Sequence, residues 1–430
     1  MRSEALNYQV RSRSLSGPAI FMATYGVLWA ISVELGVRIY AAEILAILCF
    51  LGLMGRAQFF KHAVVFKISV IYLMWVMAIV LSDLVNQTSI FDTLRAVSAP
   101  ILGGLGFLVA YWAINESPGS ALFFLIGISL AKAILGDPLY AEKFSDYGFS
   151  FQAIASDANY FKVRFEPFVT PAVLFLSVIL AVRGLIYSVL LLLGVAIAYF
   201  ALDVRASGLG MLCAASVCLS IELKVRLLSF RGLIIAGLLA LLLYGSFLAY
   251  VEYRLESGVY GHGALQVSSL SNPYNPFELL LFGRSEWYAM PQAIYERPVF
   301  GWGSWARDED GVFAEIRYSS IGQSGLSASV EGEAYIPMHS LIGSAWVWNG
   351  ALAGGAMLWL LFIILSLITW LDSVSMPFIP VIVYFSIQLV WHFFFSPPQM
   401  VRIFFPVPLA LLVWSGTMLS KDRLANTRVW

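Results

Sequence analysis

The chain repeats one pattern that leaves it few folds: apolar runs of roughly 17–20 residues, beginning with 17-GPAIFMATYGVLWAISV-33. At about 1.5 Å of rise per residue such a run spans the hydrocarbon core as a helix. Lipid offers backbone N–H and C=O groups no partner, so helices that satisfy their own are the natural solution. Further runs fall at about 39–54, 63–82, 95–114, 118–135, 168–183, 185–202, 207–221, 232–250, 341–371, 377–395 and 402–419. The expected fold is an all-α polytopic membrane protein with about 12 transmembrane helices. Composition points the same way, since only 12% of the 430 residues are charged, about half the level of soluble proteins. A formal net charge of zero gives no reason to expect a nucleic-acid partner.

The connections assign sides. Arg56, Lys61 and Lys67, then Arg183, then Lys224, Arg226 and Arg231, then Lys421, Arg423 and Arg428 all fall on the side of the N-terminus. The short connections on the other side, 83–94 and 396–401, carry at most one basic residue each. Positive charge is retained inside, so both termini are expected in the cytoplasm. The polar N-terminal stretch MRSEALNYQVRSRS leads into the first run without a small-residue cleavage site, which reads as a retained helix. Residues 1–250 then hold helices 1–9 with a shorter outer loop at about 136–167. A large outer loop at 251–338 is expected to cap the bundle, and 339–430 hold helices 10–12. The run after His339 is long for one span, so its first part is expected to be tilted or broken. Cys49, Cys213 and Cys218 lie inside apolar runs and offer neither a disulfide framework nor a metal set.

The large loop carries Arg254, Arg284, Arg297, Arg307 and Arg317, no lysine, and eleven acidic residues. Arginine's planar fork suits two-point contacts with phosphate or carboxylate oxygens, so the loop can bind an anion or simply pair its own charges. In 283-GRSEWYAMPQAIYERPVFGWG-303, Trp287 and Tyr288 follow Arg284 by three and four residues. On a short helix this sets an aromatic surface beside the guanidinium. Pro291 is expected to kink or end that helix, and Pro298, Gly301 and Gly303 to make a tight turn that another chain segment can approach closely. His339 stands where the loop re-enters the membrane, as a structural imidazole or a general base. Arg164 ends the shorter outer loop and Arg205 stands in the short turn 203-DVRASG-208. A charged residue at a membrane end often snorkels. Three arginines and a histidine in one compartment would also suit a diphosphate leaving group.

The ordered set 284-RSEW-287, 298-PVFGWG-303, 339-HS-340 and 350-GALAGG-355, preceded by 164-RFEPFVTP-171 and 204-VRAS-207, resembles the O-antigen ligase and polysaccharide polymerase superfamily. The match covers roughly residues 160–360, and valine at 204 replaces the usual serine of the short turn. The resemblance implies a metal-independent transferase in the bacterial inner membrane, without a cofactor. It would move a glycan from undecaprenyl pyrophosphate to an acceptor hydroxyl on the periplasmic side, the acceptor being a lipid A-core sugar or another carrier-linked glycan. Membrane lipids, and a chain-length regulator or flippase, are the further partners it suggests. It casts His339 and Arg284 as catalytic, and Arg205, Arg164, Arg297 and Trp287 as pyrophosphate-binding.

Two other readings rest on other residues. A transporter or flippase would need ionisable groups near the midplane, for which Glu43, Lys132 and His392 are the candidates. A metal-dependent glycosyltransferase would use 308-DED-310 to hold a divalent cation.

Overall fold

A computed structural model describes residues 16–34, 37–54, 59–138, 158–202, 204–225, 247–252, 272–282, 284–320, 339–369 and 377–427, with further positions between 237 and 270 and at 335, 336 and 371. α1 (Gly17–Leu28) starts at Ser16, whose side chain accepts from the Ala19 N–H, with a proline in its first turn where no donor is needed. A short hairpin follows, β1 (Ser32–Glu34) antiparallel to β2 (Arg38–Tyr40), and leads into α2 (Ala41–Leu53). Next come α3 (Ala63–Val85), α4 (Ile90–Glu116), α5 (Ser120–Leu135), α6 (Ala158–Arg164), α7 (Glu166–Arg183), α8 (Leu185–Ala201) and α9 (Arg205–Glu222). The described part of the large loop holds α10 (Pro276–Phe282), α11 (Glu286–Glu296) and α12 (Val312–Ser319). α13 (Leu341–Ile368), α14 (Ile379–Phe395), α15 (Val401–Phe404) and α16 (Pro406–Thr427) complete the chain.

Among the described residues four helices, α3, α4, α7 and α13, are long and apolar enough to cross a membrane. A pair bent by 62° at its break, Pro398–Phe404 and Pro406–Met418, makes a fifth if counted as one span. α1, α2, α5, α8 and α14 are apolar but shorter. The run expected at 232–250 lies largely outside the described residues. Large apolar side chains also cover the outside of the bundle: Leu73, Ile134, Ile197 and Phe362 are all exposed. A helix apolar all round belongs in lipid, and the chain is a membrane-embedded helical protein.

Helix pairs close on small residues, as lipid-embedded helices do. α1 lies against α5, where a Cβ on Gly26 would stand 2.5 Å from the Phe124 carbonyl oxygen. α8 packs on α9, α3 on α13, and α4 on α16, while α14 touches α7, α9, α13 and α16. Several connections that are distant in sequence touch one another or the helix ends. Arg38 of the hairpin donates to the Pro138 carbonyl at 3.0 Å, and Arg297 of the large loop reaches Asn86 after α3 at 2.8 Å. Trp287 of the same loop rests on Phe394 and Phe395 at the end of α14.

α13 carries the break expected of an overlong run. Gly350 lies inside it at φ 74° and ψ −168°, a conformation that glycine adopts readily and other residues do not.

Candidate functional site

A helix break leaves carbonyls without partners, and the turn 298-PVFGWG-303 supplies them. The N–H groups of Trp302 and Gly303 donate to the Val347 and Trp348 carbonyls, both at 2.9 Å, and Ala351 donates back to the Val299 carbonyl at 3.1 Å. Gly301, at φ 73°, lets the turn come this close, since a Cβ there would meet the Val347 and Trp348 carbonyl oxygens at 2.6 Å. Side chains from the end of α3 lock the joint. Ser82 donates to the Trp348 carbonyl at 2.7 Å, and Asp83 accepts from the Ser304 N–H at 2.6 Å. The turn is therefore a backbone stitch that holds the large loop to a broken α13 and to the α3–α4 connection.

The stitch fixes α11, which ends in it. The Trp302 indole donates to the Ala293 carbonyl at 2.9 Å, so the helix is anchored at its C-terminal end. Of the two effects expected of Pro291, the helix does not end there but continues to Glu296. Arg284 precedes the helix in a turn, half-buried, and its carbonyl accepts from the Trp287 N–H at 3.1 Å. Glu286, in the first helical turn, is nearly buried and accepts from Nδ1 of His339 at 3.0 Å, while half of the His339 side chain stays exposed. Burial alone would raise the Glu286 carboxyl; the His339 hydrogen bond, a backbone hydrogen bond, and the charges of His339 and Arg317 outweigh it and hold it below its ordinary value. Arg317, from α12, also donates Nε to the Ser285 hydroxyl at 3.0 Å.

Trp287 connects this cluster to an open groove of about 360 Å³ between α9 and α14. The groove is lined by Ala206, Leu209 and Cys213 on α9 and by Val390, Phe394 and Phe395 on α14, and its polar lining is limited to Ser386 and Gln388. Trp287 packs at a tilt against Phe394 and Phe395 with ring centroids 6.2 and 6.1 Å away. Across the groove, Arg205 immediately precedes Ala206 and lies over the Tyr250 ring at 5.6 Å. The Ser207 hydroxyl donates to Glu166 at 2.8 Å, tying the start of α9 to the start of α7, next to Arg164. The Arg164 guanidinium itself lies beside Gly136.

The six residues singled out from the sequence thus fall into groups. Arg284 and Trp287 flank Glu286 at the start of α11, and His339 reaches the same turn through Glu286. Arg205 stands on the opposite rim of the groove, with Arg164 one connection away. Arg297 belongs elsewhere: at the far end of α11, about 16 Å away at 1.5 Å per residue, it donates to Asn86 and covers the Trp302 ring at 4.1 Å. Within 308-DED-310, buried Asp308 accepts from the Ala314 N–H at 2.7 Å and so caps α12. The described residues hold no group of three or more metal-type ligands. Lys132 pairs with Asp137 at 2.8 Å, Glu43 with Arg402 at 2.8 Å, and His392 hydrogen-bonds Ser396 at 2.7 Å, so each ionisable group proposed for a transport path is already partnered.

Sequence reasoning gave no role to Glu286 and Arg317, which complete the cluster, or to Ser207 and Glu166, which link the two shorter arginine segments. Their only advance signal was position: Glu286, Ser207 and Glu166 each lie inside a motif already noted, and Arg317 lies in none. No family model, curated protein or solved structure matches the chain.

Proposed function

We propose that the chain is a glycan transferase of the O-antigen ligase or polysaccharide polymerase type. In this reading about 12 helices span the bacterial inner membrane with both termini in the cytoplasm, and the large loop caps the periplasmic end. The observation that carries the reading is the joining of two unlike surfaces. An apolar groove suited to a polyprenyl chain has Arg205 next to one wall and Trp287 packed on the other, and Trp287 follows Arg284 and the His339-paired Glu286 in the chain, groups suited to a pyrophosphate and a reacting hydroxyl.

The chemistry follows from those groups. An acceptor hydroxyl oxygen attacks the anomeric carbon as the bond to the pyrophosphate oxygen breaks, and the electron pair leaves on the lipid pyrophosphate. Charge develops on that leaving group, and the fixed cations Arg284 and Arg205, with Arg164 as a third, stabilise it. His339 takes the proton of the attacking hydroxyl. The isoprenoid tail lies in the groove, with Trp287 at its polar end. Arg297, bonded to Asn86, contributes to the pyrophosphate site only through its position on α11.

Deleting the gene and analysing the glycans on undecaprenyl pyrophosphate tests this directly. Accumulated single repeat units mean polymerisation; accumulated long chains beside bare acceptor lipid mean ligation. An unchanged carrier pool in a host without a redundant enzyme overturns the transferase reading and favours a transporter.

A further inference from the structure

Three separate parts of the chain meet around one carboxylate, that of Glu286, which lies 3.0 Å from Nδ1 of His339 and feels the charge of Arg317. Glu286 comes from the first turn of α11, Arg317 from α12, and His339 from the residue before the cap of α13. The His339 backbone is fixed by its neighbour: Ser340 accepts from the Gly343 N–H at 3.1 Å and donates to the Phe393 carbonyl at 3.1 Å. The Glu286 carboxylate is fixed in turn by its place in α11 and by the charge of Arg317, whose guanidinium is held on Ser285. A carboxylate accepts and never donates when ionised, so the ring nitrogen at 3.0 Å from it must carry the proton.

We propose that Glu286 is the positioning residue of His339: it binds the Nδ1 proton and leaves Nε2 unprotonated on the exposed edge of the ring, facing the acceptor hydroxyl. The inference rests on the glycan-transfer reading. In the transfer step the hydroxyl proton passes to Nε2, its oxygen bonds to the anomeric carbon, and the carbon–oxygen bond electrons leave on the pyrophosphate. The imidazolium so formed keeps its Nδ1 proton shared with Glu286, which stabilises it without taking the proton.

The test uses the full chain in lipid nanodiscs with ¹⁵N-labelled histidine. Only four histidines are present, so His339→Gln identifies the signal. In wild type the neutral ring is expected to carry its proton on Nδ1; a proton on Nε2 overturns the proposal whether or not any variant folds. In a transfer assay with a polyprenyl-pyrophosphate-linked glycan, Glu286→Gln is expected to lower kcat about tenfold or more, with KM for the donor changed by less than about twofold. Glu286→Asp, which keeps the charge, is expected to recover part of that loss. Loss of transfer in His339→Gln together with wild-type kcat in Glu286→Gln defeats the positioning role alone. Full transfer in His339→Gln defeats the reading of the site on which it rests.

Discussion

Arg284→Ala is expected to abolish measurable transfer, a loss of about 10²-fold or more, while the protein still accumulates in the membrane. Arg284 sits in a turn ahead of α11 rather than in a helix core, so truncation removes a charge without breaking an element. Full activity in a folded Arg284→Ala protein rules out the assigned role. Glu286 adds a prediction in pH. Its carboxyl is held below the ordinary value, burial being outweighed by the His339 hydrogen bond and the nearby positive charges. A depressed carboxyl stabilises the fold above its unfolded pKa and loses that contribution as pH falls through the lower folded one. Wild type should therefore lose unfolding temperature across that acid window, and Glu286→Gln should lose less; parallel acid slopes would contradict the pairing. Arg284, Trp287 and His339 were legible because their residue types and order carry meaning on their own. Glu286 was one of eleven acids in its loop, and only its place inside 284-RSEW-287 sets it apart from the others. The same holds for Arg297, whose partner Asn86 lies 211 residues away.

A helix break costs hydrogen bonds unless another segment replaces them, and in α13 that segment is the stitch. Gly350 is the position where both requirements meet: its φ is 74°, and a Cβ would overlap the Val299 carbonyl oxygen. The backbone strain alone of a non-glycine residue there is about 1–3 kcal/mol, and the overlap adds to it by forcing the stitch away. Gly350→Ala is expected to lower the thermal stability of the purified protein sharply and to free the loop to protease. Gly355, on the same helix, has nothing within 4 Å of a Cβ, and Gly355→Ala should be neutral. Equal behaviour of the two variants would mean that the break is not held by the turn. The sequence reading anticipated the close approach at Gly301 and Gly303, because glycine and proline advertise unusual backbone. It also anticipated a break or tilt after His339, because the run was too long for one span. What joined them was not readable, since the bonds run between backbone groups that every residue possesses. The shortness of α1, α2 and α5 was equally hidden: apolar patterning reports lipid contact and says little about where a helix stops.

At the scale of the whole molecule the groove needs segments far apart in sequence, α9 from Ala206 to Val217 and α14 from Val383 to Phe395, with Ile368 at the end of α13. An apolar groove in a membrane-embedded bundle has little value to a soluble substrate, since water gains nothing by leaving a surface already covered by lipid tails. A polyprenyl donor differs, because its tail is already in the membrane and its pyrophosphate is not. On the proposed reading the groove would set the depth and angle at which the scissile bond meets Arg284, Arg205 and His339, and positioning of that kind supplies much of a transfer enzyme's rate. Ala206 tests this, being exposed at the groove's arginine-bearing rim, where a larger side chain fills space without displacing the core. Ala206→Trp is expected to raise KM for a full-length polyprenyl-pyrophosphate donor about tenfold, the equivalent of about 1.4 kcal/mol of lost binding. A donor with a short, soluble tail should be far less affected, because it never filled the groove. The paired measurement matters more than either alone. Equal losses with both donors would mean that the substituted indole disturbs Arg205 rather than the tail. No loss with either would remove the groove from the reaction and leave the arginines and His339 to act on a donor held elsewhere.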